Sequence, residues 1–444
     1  MNTYLTKLYN LIKINHPTET EYLEALKAFL NSITELVETD NQIEQLSIIE
    51  RLVVPDRIIS FKVPWVDDLG KIRVNTGYRV QFNNLIGPYK GGIRFSPTVN
   101  QSILKMLAFE QTFKNSLTGL PLGGAKGGAD FNPKDKSDLE IMRFCQSFML
   151  ELSKYIGPSI DVPAGDLGVS QKEIGYLYGM YKKIKSTHDG TLTGKAPTYG
   201  GSFARPEATG YGLVYIAEKA LNTYYNESFK NKDVIISGTG QVAIHAAYKA
   251  KELGAKVIAM SSSVGMVYDF KGIDINLMQE LKANNITIDN YLKTHKHATF
   301  SNNNKDIWEI KADIILPSAT QGEINVLDIE KIIKNKPLII AEGANKPLSN
   351  DAIALLIKNK ILFIPAKAAN AGGVATSSFE MTQNATNSVW SFAEVDQKLK
   401  STMENIFNNI YLTATNLDEL YNLEKAANIT AFNKLYMAMK ALGV

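Results

Sequence analysis

A chain of 444 residues is too long for one ordinary hydrophobic core and predicts two or three domains. Its 45% apolar and 21% charged residues are those of a soluble globular protein, and a net charge of +3 is too weak to argue for nucleic acid or an anionic membrane surface as partner. The single cysteine, Cys145 in the apolar helical run MRFCQSFML, excludes a disulfide framework; no run reaches the length of a membrane span, no signal peptide is indicated, and a cytoplasmic setting is expected.

Residues 3–40 predict two helices parted at His16-Pro17-Thr18. Leu5, Leu8 and Ile12 form one apolar stripe; Tyr22, Leu23, Leu26, Phe29 and Leu30 form another. From Arg51 to Gln81, RIISFKVPWV and KIRVNTGYRVQF alternate around Asp67-Asp68-Leu69-Gly70, which predicts a hairpin with a glycine turn. Asn100–Asn115 predicts a helix on which Leu104, Leu107, Gln111 and Lys114 share a stripe. A lysine closing an apolar stripe usually snorkels to water. Here two further lysines, Lys90 in GPYKGGIRF and Lys126 in PLGGAKGGADF, stand among glycines, where a ligand can approach the backbone closely. Three ammonium groups so grouped suit a small molecule with more than one carboxylate.

Ser137 or Asp138 can cap the helix that follows. Ser170 and Glu173 have capping-box spacing, so a helix starts after Ser170 and Asp166 falls in the loop before it, beside Gly165 and Gly168. Residues 189–202, DGTLTGKAPTYGGS, mark a domain boundary, after which Thr209 can cap a helix. In KDVIISGTGQVAIHAAYKAKELGAKVIAMSSS, a strand over Val234–Ser237 runs through Gly238-x-Gly240-x-x-Ala243 into a helix and then a second strand, Lys256–Met260. This is the pattern of a dinucleotide-binding βαβ unit: the first glycine turns, the second admits the pyrophosphate to the helix N-terminus, and the small third residue packs helix on strand. DIILP, PLIIAEG and ILFIP predict further parallel strands, with Asn345 and Asn370 following two of them at the carboxyl ends where ligands bind. His295 and His297 lack metal-ligand spacing, and no metal is expected. Beyond Gly373 the chain reads as helical, with a break near Asn428–Thr430.

An NAD site commonly ends its second strand with a carboxylate for the ribose hydroxyl. Here that end reads Ala259-Met260-Ser261-Ser262-Ser263, with hydroxyls and no acid. The expectation is NADP(H), with NAD(H) or dual use as the alternative.

The lysine-bearing stretch, followed in order by VPAGDLGVS, ARPEATGYG, SGTGQVA, PSATQGEIN and KAANAGGVATSSFEMTQN, closely resembles the hexameric glutamate dehydrogenases of the Glu/Leu/Phe/Val dehydrogenase family, in particular the bacterial NADP type. The resemblance implies an α/β chain of two domains, substrate-binding and oligomerisation over 1–200 and Rossmann dinucleotide-binding over 201–375, with a helical segment, 376–444, returning across the cleft. It implies Lys126 and Asp166 as catalytic residues. Lys90 and Ser377 correspond to the grip on the side-chain carboxylate of L-glutamate, Gln111 and Lys114 to that on its α-carboxylate, and Gly165 lies beside them. On the cofactor side it implies Arg205, Thr209, Gly238, Gly240, Gln241, Val242, Ser261, Ser262, Lys282, Ala319, Thr320, Asn345 and Asn370. Glutamate, 2-oxoglutarate and ammonium are the implied substrates and a homohexamer the implied assembly. Two departures stand out: Gln241, where many relatives have asparagine, and a shortened loop at Ala283–Ile286 that loosens the match of Lys282. A branched-chain or aromatic amino-acid dehydrogenase and an inactive nucleotide-binding regulatory protein are the competing readings; the first would place an apolar residue at Lys90, the second would lose Lys126 or Asp166.

Overall fold

Alternating residues build the first sheet. Strands β1 (Arg57–Val66) and β2 (Ile72–Asn83) form an antiparallel hairpin whose turn holds Gly70 at φ 76°. With β3 (Tyr89–Phe95), β4 (Gly124–Ala129) and β5 (Asp161–Gly165) they give the order β1-β2-β4-β3-β5, in which β3 runs parallel to both β4 and β5. This sheet belongs to a unit made of Met1–Phe203, Ser377–Phe392 and Asn428–Val444; a second unit comprises Ala204–Thr376 and Ala393–Ala427. The computed structural model describes residues 1–443.

In the first unit, helices Asp138–Leu152 and Gln171–Lys185 bury Phe144, Phe148, Leu177 and Tyr181 in one cluster with Phe95 and Phe131 of the sheet. The rings of Phe131 and Phe144 stack with centroids 3.8 Å apart. Each such buried ring contributes about 1.5–3 kcal/mol. Both helices start with complete capping boxes, Ser137 with Glu140 and Ser170 with Glu173. Helix Gln101–Leu117, capped by Asn100, packs Phe109 edge-on against Tyr22 and Phe29 of helix Thr20–Ser32. Strand β4 is buried along its whole length, and its glycines are required sterically. A Cβ on Gly124 would collide with Thr112 of the helix.

The second unit is a seven-stranded sheet: β6 (Asp233–Ser237), β7 (Lys256–Ser262), β8 (Gly265–Tyr268), β9 (Thr299–Ser301), β10 (Ile314–Pro317), β11 (Ile339–Ala341) and β12 (Leu362–Ile364). The order is β12-β11-β10-β6-β7-β8-β9. The first five of that order are parallel, with Ile235, Ile315 and Ile340 in the core beneath them. Strands β8 and β9 are antiparallel and were not expected from the sequence: β7 turns back through Ser263-Val264 instead of passing straight to a crossover helix.

Two expectations are corrected. Thr209 does not cap its helix, which begins at Ala208 after Glu207; helical backbone already at Glu207 puts Thr209 inside the first turn. The C-terminal break does not lie at Asn428–Thr430, which is inside helix Leu423–Leu442. Ala426, Ala427, Ile429, Ala431 and Phe432 are all buried there, and packing outweighs the weak helix preference of Asn and Thr. The chain breaks instead after helices Gly372–Ala385 and Phe392–Asn416, where Asn387 and Asp418 take left-handed conformations. No described helix is long and apolar enough to cross a membrane.

Candidate active site

Parallel pairing of β3 with β4 and β5 brings three short segments to one place. Lys126 projects from β4, and Asp166 follows the last residue of β5, Gly165. Lys126 Nζ lies 3.1 Å from Asp166 Oδ1. The other carboxylate oxygen, Oδ2, accepts a hydrogen bond from Arg94 Nε on β3 at 2.8 Å. Glycine makes this approach possible: a Cβ on Gly92 would lie 2.8 Å from Asp166 Cβ.

The electrostatics follow from burial and charge. Burial is the largest influence on Lys126 and pulls its ammonium below the ordinary lysine range; Arg94 and Arg79 act in the same direction and Asp166 opposes them. Burial on its own would raise the Asp166 carboxyl. The charges and hydrogen bonds of Lys126 and Arg94 outweigh it and hold Asp166 below its usual value. A lysine whose ammonium gives up its proton more readily than usual and an ionised aspartate in contact with it form an acid–base pair able to move protons.

Lys90, on β3, is buried, and its Nζ donates to Thr193 Oγ1 at 2.8 Å. Thr193 is itself tied to β5, donating its N–H to Pro163 O at 3.0 Å. The next two backbone N–H groups, of Gly194 and Lys195, both donate to the carboxylate of Glu380. Glu380 also forms a fully buried ion pair with Lys195 at 2.9 Å. Ser377 precedes Glu380 by three residues on the same helical face and is buried one turn away. The Lys90 end of the site is thus built from β3, the 191–195 loop and the helix that carries Ser377. Lys114 is half-buried in the last turn of helix Gln101–Leu117. Gln111 on the same helix donates to Asn115 Oδ1 at 2.7 Å, and Asn115 donates to Lys90 O at 3.1 Å. Beneath these groups Arg79 pairs with Asp161, both sealed from solvent, and Arg79 also donates to Gly91 O at 3.1 Å. Gln81 adds a bond to Asp161 at 2.8 Å.

In the second unit, β6 ends in the Gly-x-Gly turn. Gly238 takes φ 93°, and Gly240 starts helix Gln241–Glu252 with no side-chain cap, so the helix's first N–H groups stay available to an anion. The space that a side chain on Gly240 would fill is open. These features fit a dinucleotide pyrophosphate. The turn is braced from two sides: Ser261 Oγ accepts from Gly238 N–H at 3.3 Å, and Gly238 packs against Ala319 of the loop that also bears Thr320. Ser237 Oγ donates to Glu323 at 2.8 Å, and burial raises the Glu323 carboxyl. Val242 is half-buried beside the turn. The Gln241 side chain points along its own helix to His245, 2.9 Å away.

At the other end of the strand edge, Asn370 donates to Asn345 Oδ1 at 2.9 Å. Arg205 and Thr209 converge on Gly373: a Cβ there would lie 2.8 Å from Thr209 Oγ1 and 3.4 Å from an Arg205 terminal nitrogen. Lys282 is exposed at the end of helix Ile275–Ala283, and no described hydrogen bond or ion pair joins it to Ser261 or Ser262. Sequence reasoning missed Arg94, Thr193, Asn115 and Glu323. The signal for Arg94 was present, since Lys90, Gly92 and Arg94 alternate along one face of a strand.

A mainly parallel sheet with a Gly-x-Gly-x-x-Ala turn, on a chain that also pairs a buried lysine with a half-buried aspartate, defines the class as a dinucleotide-dependent dehydrogenase. The chain belongs to the Glutamate/Leucine/Phenylalanine/Valine dehydrogenase family, which matches residues 200–443, and the dimerisation domain of Glu/Leu/Phe/Val dehydrogenases matches residues 55–183. It is 50% identical to the NAD-specific glutamate dehydrogenase of Bacteroides fragilis (strain YCH46), over 99% of each chain. With the NADP-specific glutamate dehydrogenase of Helicobacter pylori (strain ATCC 700392 / 26695) it shares 46% identity, over 99% of this chain and 100% of that one. The solved structure of Plasmodium falciparum glutamate dehydrogenase 2 superposes with a TM-score of 0.96 at 44% identity, covering 99% of this chain and 96% of the other.

Proposed function

We propose that the protein catalyses the reversible oxidative deamination of L-glutamate: glutamate, NAD(P)+ and water give 2-oxoglutarate, ammonium, NAD(P)H and a proton. The observation that carries this reading is the ion pair of buried Lys126 with half-buried Asp166, on the same sheet as the buried Lys90. Lys90 and the Ser377 hydroxyl hold the substrate's side-chain carboxylate; Lys114 and Gln111 hold its α-carboxylate. A lysine ammonium offers rotatable donors adequate for either group. Asp166 takes the proton from the α-ammonium, which frees the nitrogen lone pair to form an imine as hydride leaves the α-carbon. The nicotinamide, when bound, supplies the hydride acceptor. Lys126, which burial helps to lose its own proton, acts as the neutral amine and takes a proton from the water that attacks the imine carbon. Asp166 returns its proton to the carbinolamine nitrogen; as the C–N bond breaks, the hydroxyl gives up its proton to the departing ammonia and becomes the carbonyl of 2-oxoglutarate.

The dinucleotide is held by the Gly238–Gly240 turn, Val242, Ala319 and Thr320, with Arg205, Thr209, Asn345 and Asn370 toward the nicotinamide. NADP(H) is the favoured form, supported by Ser261, Ser262 and the lack of an acid at the end of β7. The assembly is a homohexamer in the cytoplasm. A spectrophotometric assay of 2-oxoglutarate and ammonium with NADPH and with NADH tests the proposal; absence of turnover with both cofactors refutes it.

A further inference from the structure

We infer that Arg94 is a positioning residue for the proton-transfer pair: its guanidinium fixes the Asp166 carboxylate and sets the pH window in which Asp166 and Lys126 work. The inference rests on the reading of Asp166 and Lys126 given above. Arg94 Nε donates to Asp166 Oδ2 at 2.8 Å while Lys126 Nζ lies 3.1 Å from Oδ1, so each carboxylate oxygen has its own cation. The carboxylate plane is therefore set by Arg94, and Oδ1 stays turned toward Lys126. Asp166 is the one side chain that Arg94 bonds among the described residues, so the guanidinium is not spent on a scaffold network. The neighbouring Arg79 is spent that way, on Asp161 and Gly91 O.

Charge makes the role separable from plain structure. The groups facing the pair are Arg94 from β3, Arg79 from β2 and, behind Arg79, Asp161 from β5. A cation favours the deprotonated form of any acid beside it, whether carboxyl or ammonium. Arg94 acts on both members in this sense. Its removal therefore raises the proton affinity of Asp166 and of Lys126 together. Breaking the Asp166–Lys126 contact itself does something different: the carboxyl rises and the ammonium falls.

The test is the pH profile of kcat/KM for glutamate in Arg94→Gln, Arg94→Met and Arg94→Lys, with Asp166→Asn as reference. In Arg94→Gln both limbs should move to higher pH, by about half a unit or more, with kcat lowered roughly 10–100-fold. Arg94→Met keeps the aliphatic stem without the charge and should move both limbs likewise, which preserves the test if the glutamine variant folds poorly. Arg94→Lys keeps the charge without the fixed fork; its limbs should stay near the parent's while kcat is still reduced. Limbs that stay in place in both neutral variants, or that move in opposite directions, overturn the inference. Ordinary turnover in Asp166→Asn would instead overturn the underlying reading of the site.

Discussion

The ammonium of Lys90 and the hydroxyl of Thr193 are hydrogen-bonded at 2.8 Å across 103 residues of chain, with both side chains buried. Lys90 is therefore held in one orientation before any substrate arrives. Replacing it by Leu leaves the glutamate side-chain carboxylate without its cation, a loss of roughly 3–5 kcal/mol for a buried pair. Glutamate turnover should collapse in Lys90→Leu, and norleucine or methionine should become substrates. Thr193→Val removes one bond to a charged group, about 1.5–3 kcal/mol, and should lower kcat/KM for glutamate roughly 10–100-fold. Steady-state rates with the three amino acids check both; undiminished glutamate activity in Lys90→Leu would refute the assignment.

Asp166→Asn should fold, assemble and bind cofactor, yet lose several orders of magnitude in turnover. Lys126→Ala should behave alike, and the double variant should be little worse than either single one, because the two residues act as a unit. Cofactor binding by fluorescence titration separates this outcome from misfolding. Losses that multiply in the double variant would show that the two act independently.

For the cofactor, kcat/KM should be higher with NADPH than with NADH. Ser262→Asp should weaken NADPH selectively through charge repulsion, and Lys282→Ala through loss of a phosphate partner. The structure makes Ser262 the sharper test: Ser262 ends β7, whereas Lys282 stands exposed on a separate helix. Equal or better kcat/KM with NADH would refute the NADP preference.

Glu342 gives the second unit a dependence on pH. It follows β11, buried, and accepts from Ala366 N–H at 2.7 Å and Leu348 N–H at 3.2 Å. Burial, with the Glu424 charge adding to it, pushes its carboxyl up to about 8; the two backbone donors and Lys367, itself paired with Glu424 at 3.0 Å, pull the other way. A carboxyl raised in the folded state keeps its proton there while the unfolded chain has already lost it. The contribution of Glu342 to stability is therefore whole below the unfolded value near 4.5, declines as pH rises toward about 8, and levels off above. Glu342→Gln cannot ionise. The Tm of the parent minus that of the variant should fall steadily between about pH 5 and pH 8, and thermal melts at several pH values read it directly. A difference that does not change with pH would show that Glu342 does not titrate in this range.

Much of the site was legible in the sequence because its chemistry needs glycine around it. Lys126 within GGAKGG and Asp166 between Pro163 and Gly168 announce close approach, and the Gly238–Ala243 turn announces a helix N-terminus. Thr193 was hidden because its stretch is rich in Gly, Thr and Ser, and the same composition reads as a linker. Only tertiary pairing with β5 turns that loop into one wall of a site. Arg94 lay in plain view on the Lys90 face, but an arginine in a strand has many routine uses, and its partner lies 72 residues on. Strands β8 and β9 have four and three residues, too short for a period to register. The C-terminal break was misplaced for the opposite reason: Asn428 and Thr430 are genuine local signals, overruled by a continuous buried face.

Lys195 and Glu380 are ion-paired with no exposure to solvent, 185 residues apart in the chain. During synthesis on the ribosome, Lys195 emerges long before its carboxylate exists. A lone ammonium cannot be buried without a large cost, so the 191–195 loop has no stable closed form until Glu380 follows. The first unit also takes its last pieces from Ser377–Phe392 and Asn428–Val444. Its strands and helices can form early, but the loop bearing Thr193 must wait for the carboxyl-terminal fifth of the polypeptide. A nascent chain halted before residue 380 should therefore hold an open, protease-sensitive 191–195 loop, and the Lys90 wall of the site should close only as translation nears its end.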